Sequence, residues 1–399
     1  MKQMRRVCVR LSGREKYEIE IGANALANLG AAARRTLSPN ARHLALISNA
    51  RVFALYGASV VENLRAAGFI VSPWLMGDGE RHKNLRTAER ALRFFSESKL
   101  ERSDAVVALG GGVVGDLAGF ASAIYLRGIS FLQAPTTLLA QIDASVGGKT
   151  GVNTSEGKNV VGAFHQPRAV LISTETLRTL PPRELTAGWC EAIKQGAVGS
   201  RRLFAQTRRF LIAENMEATS PRESAHRDSR AEELAALIAA QCAFKAKIVA
   251  ADEREDVERT DARSRRILNF GHTAAHALEA LTHYRRFRHG EAVGYGMLVA
   301  AEISHRLGML DVSELESLRA CVRLAGHLPR ADDLDEHAIL RAIASDKKSM
   351  GGHVRWILLE GIGRARIVSG LEIPPRVVRA SLRAALAGNF ENNSEGKLK

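Results

Sequence analysis

The sequence predicts an α/β domain built on a parallel sheet, followed by a mainly α-helical domain. Three observations carry this. Apolar strand-like runs alternate with helix-spaced segments up to about residue 180. One of those runs leads straight into a glycine-rich turn, Gly110-Gly111-Gly112-Val113-Val114-Gly115-Asp116. Beyond Pro181-Pro182 the apolar period becomes mainly helical.

The elements follow in order. Val7 to Val9 and Tyr17 to Ile21 alternate and read as paired strands. Ala41 to Ser48 is a buried strand, and Val52 to Gly68 has helical spacing that stops at a glycine. Phe69 to Met76 is a strand running into the polar turn Gly77-Asp78-Gly79-Glu80. Asn84 to Ser98 is an amphipathic helix, and Asp104 to Leu109 is the strand before the glycines. Such sheets bind ligands at the carboxyl ends of their strands. After the prolines, helices are expected over Arg183 to Val198, Leu203 to Asn215, Arg230 to Ala251, His272 to Thr282, Glu291 to Leu307 and Asp311 to Leu324. Met216 to Arg230 and Asp256 to Arg265 read as surface loops, and His353 to Leu359 with Ala365 to Val368 as a late hairpin. The expected domains are residues 1–182, an α/β nucleotide-binding domain, and 183–387, a helical domain. Residues 388–399 form a polar, frayed tail.

Composition narrows the function. The chain has 399 residues and a formal net charge of +14. Such charge suits nucleic acid or a membrane surface. The arginines are dispersed, however, and aromatics make up only 5% of residues, so no aromatic-interleaved basic stripe exists. No nucleic-acid partner is expected; a phosphorylated or carboxylated small molecule fits the same charge. Cys8, Cys190, Cys242 and Cys321 form no C-x-x-C pair, which argues against a thiolate zinc site or a disulfide framework and for reduced cytoplasmic thiols. Met1 to Arg6 runs into a short strand rather than a signal-peptide core. No run of about 18 apolar residues is read, so no membrane span is expected.

The glycine turn departs from G-x-G-x-x-G. Missing Cβ atoms let backbone N–H groups approach a pyrophosphate at a helix N-terminus; a tight turn with close packing explains the same residues. Gly147-Gly148-Lys149-Thr150-Gly151 and Gly157-Lys158-Asn159 place two lysines beside glycines, which suits phosphate or carboxylate ligands, although the Walker A spacing fails. Glu191, His272 and His289 stand out as polar positions in chemistry-bearing surroundings. Two imidazoles and a carboxylate make a common catalytic zinc set with one position open. His272 and His276 share a helix face, but Thr273 stands where H-E-x-x-H needs glutamate. A lone helical histidine is usually core or surface. Three within eighteen residues, beside glycines, favour a metal.

The chain resembles the 3-dehydroquinate synthases of the sugar-phosphate cyclase family. The resemblance rests on Gly110 to Gly128, Pro135 to Gln141, Ser145 to Gly151, Gly157-Lys158-Asn159, Leu180 to Glu184, Leu268 to Thr273, His289-Gly290-Glu291-Ala292 and Asp346-Lys347-Lys348, in order from about residue 40 to 385. It implies a Rossmann-like parallel-sheet domain with a helical C-terminal domain. It implies that Glu191, His272 and His289 bind one divalent metal, zinc or cobalt. Asp78-Gly79-Glu80-Arg81-His82-Lys83 resembles the family's D-G-E-x-x-K nucleotide segment. Gly112, Val113, Val114, Gly115 and Asp116 resemble its pyrophosphate turn, and Thr136, Thr137, Thr176, Leu177, Arg178 and Thr179 its further NAD contacts. Lys149 and Lys158 occupy positions shared by cofactor and substrate. Asp143, Asn159, Lys194, Lys245, Arg265 and Asn269 resemble substrate contacts, and Lys347 or Lys348 is expected near the substrate phosphate. Arg127 resembles an arginine offered to the neighbouring subunit of a homodimer, and His276 the general acid-base.

The implied reaction converts 3-deoxy-D-arabino-heptulosonate 7-phosphate to 3-dehydroquinate and phosphate, in the shikimate pathway to aromatic amino acids. It runs by transient oxidation with NAD, β-elimination, re-reduction and aldol closure. The rivals are another sugar-phosphate cyclase, a metal-dependent polyol or glycerol dehydrogenase, and a basic nucleic-acid-binding or scaffold protein. Departures from the family pattern are modest: Trp189-Cys190 replaces a usual apolar pair, Gln195 stands where tyrosine is frequent, Met216 to Arg230 is long, and Asp256 to Ser264 is unusually charged.

Overall fold

The structure, a computed structural model, describes residues 4–11, 15–217, 224–346 and 354–387. They fall into two compact units, one within Met1–Pro181 and Pro221–Arg254, the other within Pro182–Ser220 and Glu255–Lys399.

The first unit is built on strands β1 (Arg5–Arg10), β2 (Lys16–Gly22), β3 (His43–Asn49), β4 (Ile70–Met76), β5 (Ala105–Gly110), β6 (Ser130–Pro135), β7 (Lys149–Val152), β8 (Val161–Phe164) and β9 (Ala169–Ser173). Seven of them form one sheet in the order β1-β2-β9-β6-β5-β3-β4; β7 and β8 form a separate antiparallel hairpin. Only β1 pairs antiparallel with its neighbour in the large sheet; the other pairs are parallel. Every residue of β5 is buried, the near-continuous apolar run expected of a parallel strand covered on both faces. Alternation then splits each strand between two cores. Leu44 and Leu46 of β3 face the helices Leu29–Thr36 and Ala58–Ala66, while Ala45 and Ile47 face Leu85–Glu97 and Gly112–Ile124. Strand order reverses between β3 and β5, so the carboxyl ends of those strands, at Asn49 and Gly110, mark the crevice where such sheets take ligands.

One helix corrects the expected division. The single helical domain over 183–387 does not hold, because the helix Ser224–Ala251 belongs to the first unit and packs on β1 and β2. Helical periodicity shows that a face is apolar, not which core it joins. Its stretch Ser229–Ala251 is long and apolar enough to cross a membrane by composition alone, but half of it is buried inside the protein, as for a core helix. This helix also begins at Ser224, inside the expected loop Met216 to Arg230.

The second unit holds the helices Pro182–Gly199, Arg201–Glu217, His272–Leu281, His289–Arg306, Val312–Leu324, Glu336–Asp346 and Pro375–Leu386 and the hairpin β10 (Arg355–Gly361) with β11 (Arg364–Ser369). The helix His289–Arg306 is its axis. Gly290 through Ser304 are all buried, and it packs on Pro182–Gly199, His272–Leu281, Pro375–Leu386 and β10. Close approach needs glycine there: a Cβ on Gly290 would lie 2.0 Å from Ala187 O, and one on Gly296 1.9 Å from Gly271 O.

Candidate active site

In the second unit three side chains converge. Glu191 lies in the middle of the buried helix Pro182–Gly199. His272 begins its helix directly after Gly271, whose φ of 83° turns the chain into it. His289 begins the axial helix. One donor atom from each lies within 4.8 Å of the others. Glu191 is 1% exposed, and both its carboxylate oxygens are buried without a hydrogen bond, although Lys194 Nζ stands 2.5 Å from Oε2 as an ion-pair partner. A buried carboxylate of this kind needs positive charge at hand. His289 Nδ1 donates to Glu279 Oε2 at 3.2 Å, and His272 Nδ1 to the Phe270 carbonyl at 3.4 Å. Each leaves Nε2 to a metal, the arrangement in which a second partner fixes the imidazole tautomer. The donor set therefore fits a divalent ion of the zinc type. His276 stands beside it, its ring centroid 5.5 Å from that of His272 and 6.2 Å from that of His289.

In the first unit the glycine turn sits at the carboxyl end of β5. Close packing accounts for its glycines directly. Gly110 packs so closely that a Cβ would lie 2.7 Å from Val114 Cγ2, and Cβ atoms on Gly111 and Gly112 would lie 3.0 Å from Thr137 Cγ2 and 3.3 Å from Ala144 Cβ. Gly111 also caps the helix Gly112–Ile124, whose bonding starts with Val114 N–H to Gly111 O at 3.1 Å. The N–H groups of Gly112 and Val113 thus precede the helical ladder, where an anion is favoured. Around the turn, Asn49 Nδ2 donates to Asp78 Oδ1 at 2.9 Å, and Asn153 Nδ2 to Glu80 Oε1 at 2.8 Å. Lys83 is 4% exposed and stands 2.9 Å from Asp116 Oδ2 and 3.4 Å from Glu80 Oε1. Burial alone would lower its pKa; the two carboxylates outweigh that and raise it, so Lys83 stays charged. Lys245 Nζ lies 2.7 Å from Asp143 Oδ1 and donates to Asp143 O at 2.6 Å.

Two family profiles match consecutive stretches, "3-dehydroquinate synthase N-terminal" over residues 73–187 and "3-dehydroquinate synthase C-terminal" over 188–349. The chain belongs to the 3-dehydroquinate synthase family. It is 45% identical to the 3-dehydroquinate synthase of Pelotomaculum thermopropionicum, over 90% of this chain and 92% of that one. It is 42% identical to the enzyme of that name from a Synechococcus species, over 92% and 95%. Among solved structures, 2-epi-5-epi-valiolone synthase from Streptomyces hygroscopicus subsp. jinggangensis, with NAD+ and Zn2+ bound, superposes with a TM-score of 0.80 at 27% identity, covering 95% of this chain and 100% of that one.

The family positions fall on the two units as follows. The first carries 78–83, the turn Gly112 to Asp116, Thr136, Thr137 and the 3-10 turn Thr174–Thr179, in which Thr176 and Leu177 are buried and Arg178 is exposed. It also carries Asp143 and Lys245, Lys149 at the exposed start of β7, half-buried Lys158, and Asn159 at a φ of 55°. Arg127 is exposed on the turn Tyr125–Arg127, where Leu126 and Arg127 both have positive φ. The second carries the metal group, His276, buried Lys194 and Arg265, and half-buried Asn269. Lys347 and Lys348 lie outside the described residues, as does the tail 388–399. Sequence reasoning passes over Asn49, Asn153 and Glu279. Asn49 is an N-cap at a strand's carboxyl end, with its side chain accepting from Val52 N–H, and that signal was available. Glu279 lies one helical turn beyond His276 on the same helix, a weaker cue.

Proposed function

We propose that this chain is a 3-dehydroquinate synthase, a phosphate-eliminating lyase that converts 3-deoxy-D-arabino-heptulosonate 7-phosphate to 3-dehydroquinate, with NAD and one divalent metal. The Glu191, His272 and His289 group, with Glu191 and the adjacent Lys194 buried and the two histidines half-buried, carries the reading, in a chain 45% identical to an enzyme of that name. In this proposal the first unit is the dinucleotide-binding one and the second the metal-binding one. When bound, NAD takes up and returns a hydride and the metal supplies Lewis acidity at the oxidised carbon's oxygen.

The chain's own residues do the rest. The N–H groups of Gly112 and Val113 and the helix behind them receive the pyrophosphate. Glu191, His272 and His289 would hold the metal, each offering one donor atom. His276 takes and returns the substrate's proton, because imidazole alone titrates near neutral pH without perturbation. Lys194, Lys245 and Arg265 offer fixed positive charge to the substrate carboxylate and phosphate, and buried Arg265 offers it as a planar fork. Asp143, held by Lys245, and Asn159 and Asn269 orient substrate hydroxyls. The protein acts as a homodimer in the cytoplasm, with Arg127 passed to the partner's site; the exposed, left-handed Leu126-Arg127 step supports that role.

The test is incubation with the heptulosonate phosphate, substoichiometric NAD and Zn2+ or Co2+, following phosphate and product. Turnovers should greatly exceed the NAD supplied. NADH accumulating one for one with product would instead establish a polyol-type dehydrogenase. Turnover of glucose 6-phosphate or sedoheptulose 7-phosphate, without the heptulosonate, would establish a different cyclase.

A further inference from the structure

Gln141 belongs to a π-helical turn, Ala140–Ala144, and its side chain is completely buried. Its Nε2 donates toward three acceptors: Pro135 O at 3.3 Å, Ser173 O at 3.0 Å and Thr176 Oγ1 at 3.0 Å. These lie on two segments distant in sequence: the carboxyl end of β6, and the carboxyl end of β9 with the 3-10 turn Thr174–Thr179 that follows it directly. Thr176 spends its own hydroxyl proton on Ser173 O, at 2.8 Å, so toward Gln141 it is the acceptor. The amide has one usable orientation. Turned over, its oxygen would face two carbonyl oxygens, and both carbonyls would lose a donor. The main chain of Gln141 is tied as well: its N–H donates to Thr137 O at 2.9 Å, and its carbonyl accepts from Cys242 Sγ at 3.3 Å.

We infer that Gln141 is a positioning residue for the dinucleotide, acting from beneath the site without touching the ligand. The inference rests on the dinucleotide reading of Thr136, Thr137 and Thr176 to Thr179. One amide pins the segment that leads into Thr136-Thr137 to the turn that carries Thr176 to Thr179, and so sets the width between two walls of the cofactor site. Two residues on, where a helical turn points elsewhere, Asp143 pairs with Lys245. The π turn thus serves both purposes, a use of the extra residue often found at functional sites. Buried hydrogen bonds among neutral groups are costly to break one-sidedly, because the abandoned acceptors stay dry.

The experiment is NADH binding by fluorescence titration, without substrate or turnover, on the full chain with metal. Gln141→Met keeps the side-chain length and removes the donors. Its NADH Kd should rise about tenfold, the loss expected when a buried bond is left unmade, while bound metal stays stoichiometric. Gln141→Asn keeps an amide of shorter reach, should weaken binding less, and carries the test alone if the Met variant does not fold. A folded variant with lowered Tm but wild-type NADH affinity would overturn the inference and leave Gln141 a purely structural residue. If the unmodified protein binds no NADH at all, the dinucleotide reading itself fails, which is a distinct result.

Discussion

Glu279 Oε2 lies 3.2 Å from Nδ1 of His289. The Glu279 carboxylate is buried, while the His289 side chain is partly exposed. It holds the proton on Nδ1 and aims Nε2 at the side where Glu191 Oε1 stands 3.7 Å away. A carboxylate behind a metal-ligating imidazole both orients the ring and raises its basicity.

Replacing Glu279 by Gln should therefore raise the dissociation constant for Zn2+ about 10- to 100-fold, measured by competition with a chromophoric chelator. NADH affinity should not move. Unchanged metal affinity in a folded Glu279→Gln protein would mean that Phe270 O and Glu191 suffice to order the donors.

Gly290 gives a test of packing. A methyl there would lie 2.0 Å from the Ala187 carbonyl oxygen and 2.5 Å from its carbon, both backbone atoms that cannot rotate away. The axial helix would have to move from the helix that carries Glu191, and His289 would move with it. Gly290→Ala should cost about 3 kcal/mol, the upper part of the usual overpacking range, and lower metal occupancy. Urea unfolding with metal analysis checks both. A variant as stable as the parent would show that the two helices part without strain.

How far the sequence reached depends on what kind of signal each feature leaves. Strands β3 and β5 are buried on both faces, so they read as unbroken apolar runs and were legible to within two residues. The hairpin of β10 and β11 was legible in outline as two short runs close in sequence, and the break at Pro181 from a change of period. The return of Ser224–Ala251 to the first unit was not legible, because an apolar helix face fits any core. Nor was its start, since the polar residues from Ser224 to Arg230 carry no apolar period. At the site, histidines that begin helices after glycine or a turn were conspicuous. The Lys83, Asp116 and Glu80 cluster joins residues 33 and 3 positions apart, and only the fold reveals it as one ion-pair network.

That network predicts a pH dependence. Burial alone would raise the Glu80 pKa; Lys83, the Asn153 hydrogen bond and Lys158 outweigh it and hold the carboxyl below its ordinary value. A group whose native pKa is depressed contributes stability above its unfolded value, about 4.3 for glutamate, and loses that contribution as pH falls through the native value. The wild-type protein should therefore exceed Glu80→Gln in urea midpoint at neutral pH, and the gap should close as the pH drops below about 4. A gap that stays constant down the acid range would assign the stabilisation to shape and not to charge.

Arg127 bears on assembly. It is exposed, and its φ of 66° follows 49° at Leu126, a left-handed pair that non-glycine residues rarely adopt without a reason. Beside it Ile124 and Leu126 are 45% and 44% exposed, so the turn presents apolar surface together with a guanidinium. In the homodimer proposed above, a second copy of the chain would cover the apolar part and receive the charge at its substrate phosphate, where a guanidinium fork pairs well with anionic oxygens. Arg127→Ala and Lys194→Ala should each be nearly inactive alone. Mixed and allowed to exchange subunits, they form some dimers in which one site carries both defects and the other carries neither. Activity should then return toward a quarter of the wild-type level, since about half the dimers are mixed and half of their sites are intact, an estimate from closed two-fold symmetry. Mixed dimers shown by mass to form, yet without activity, would return Arg127 to its own subunit's surface.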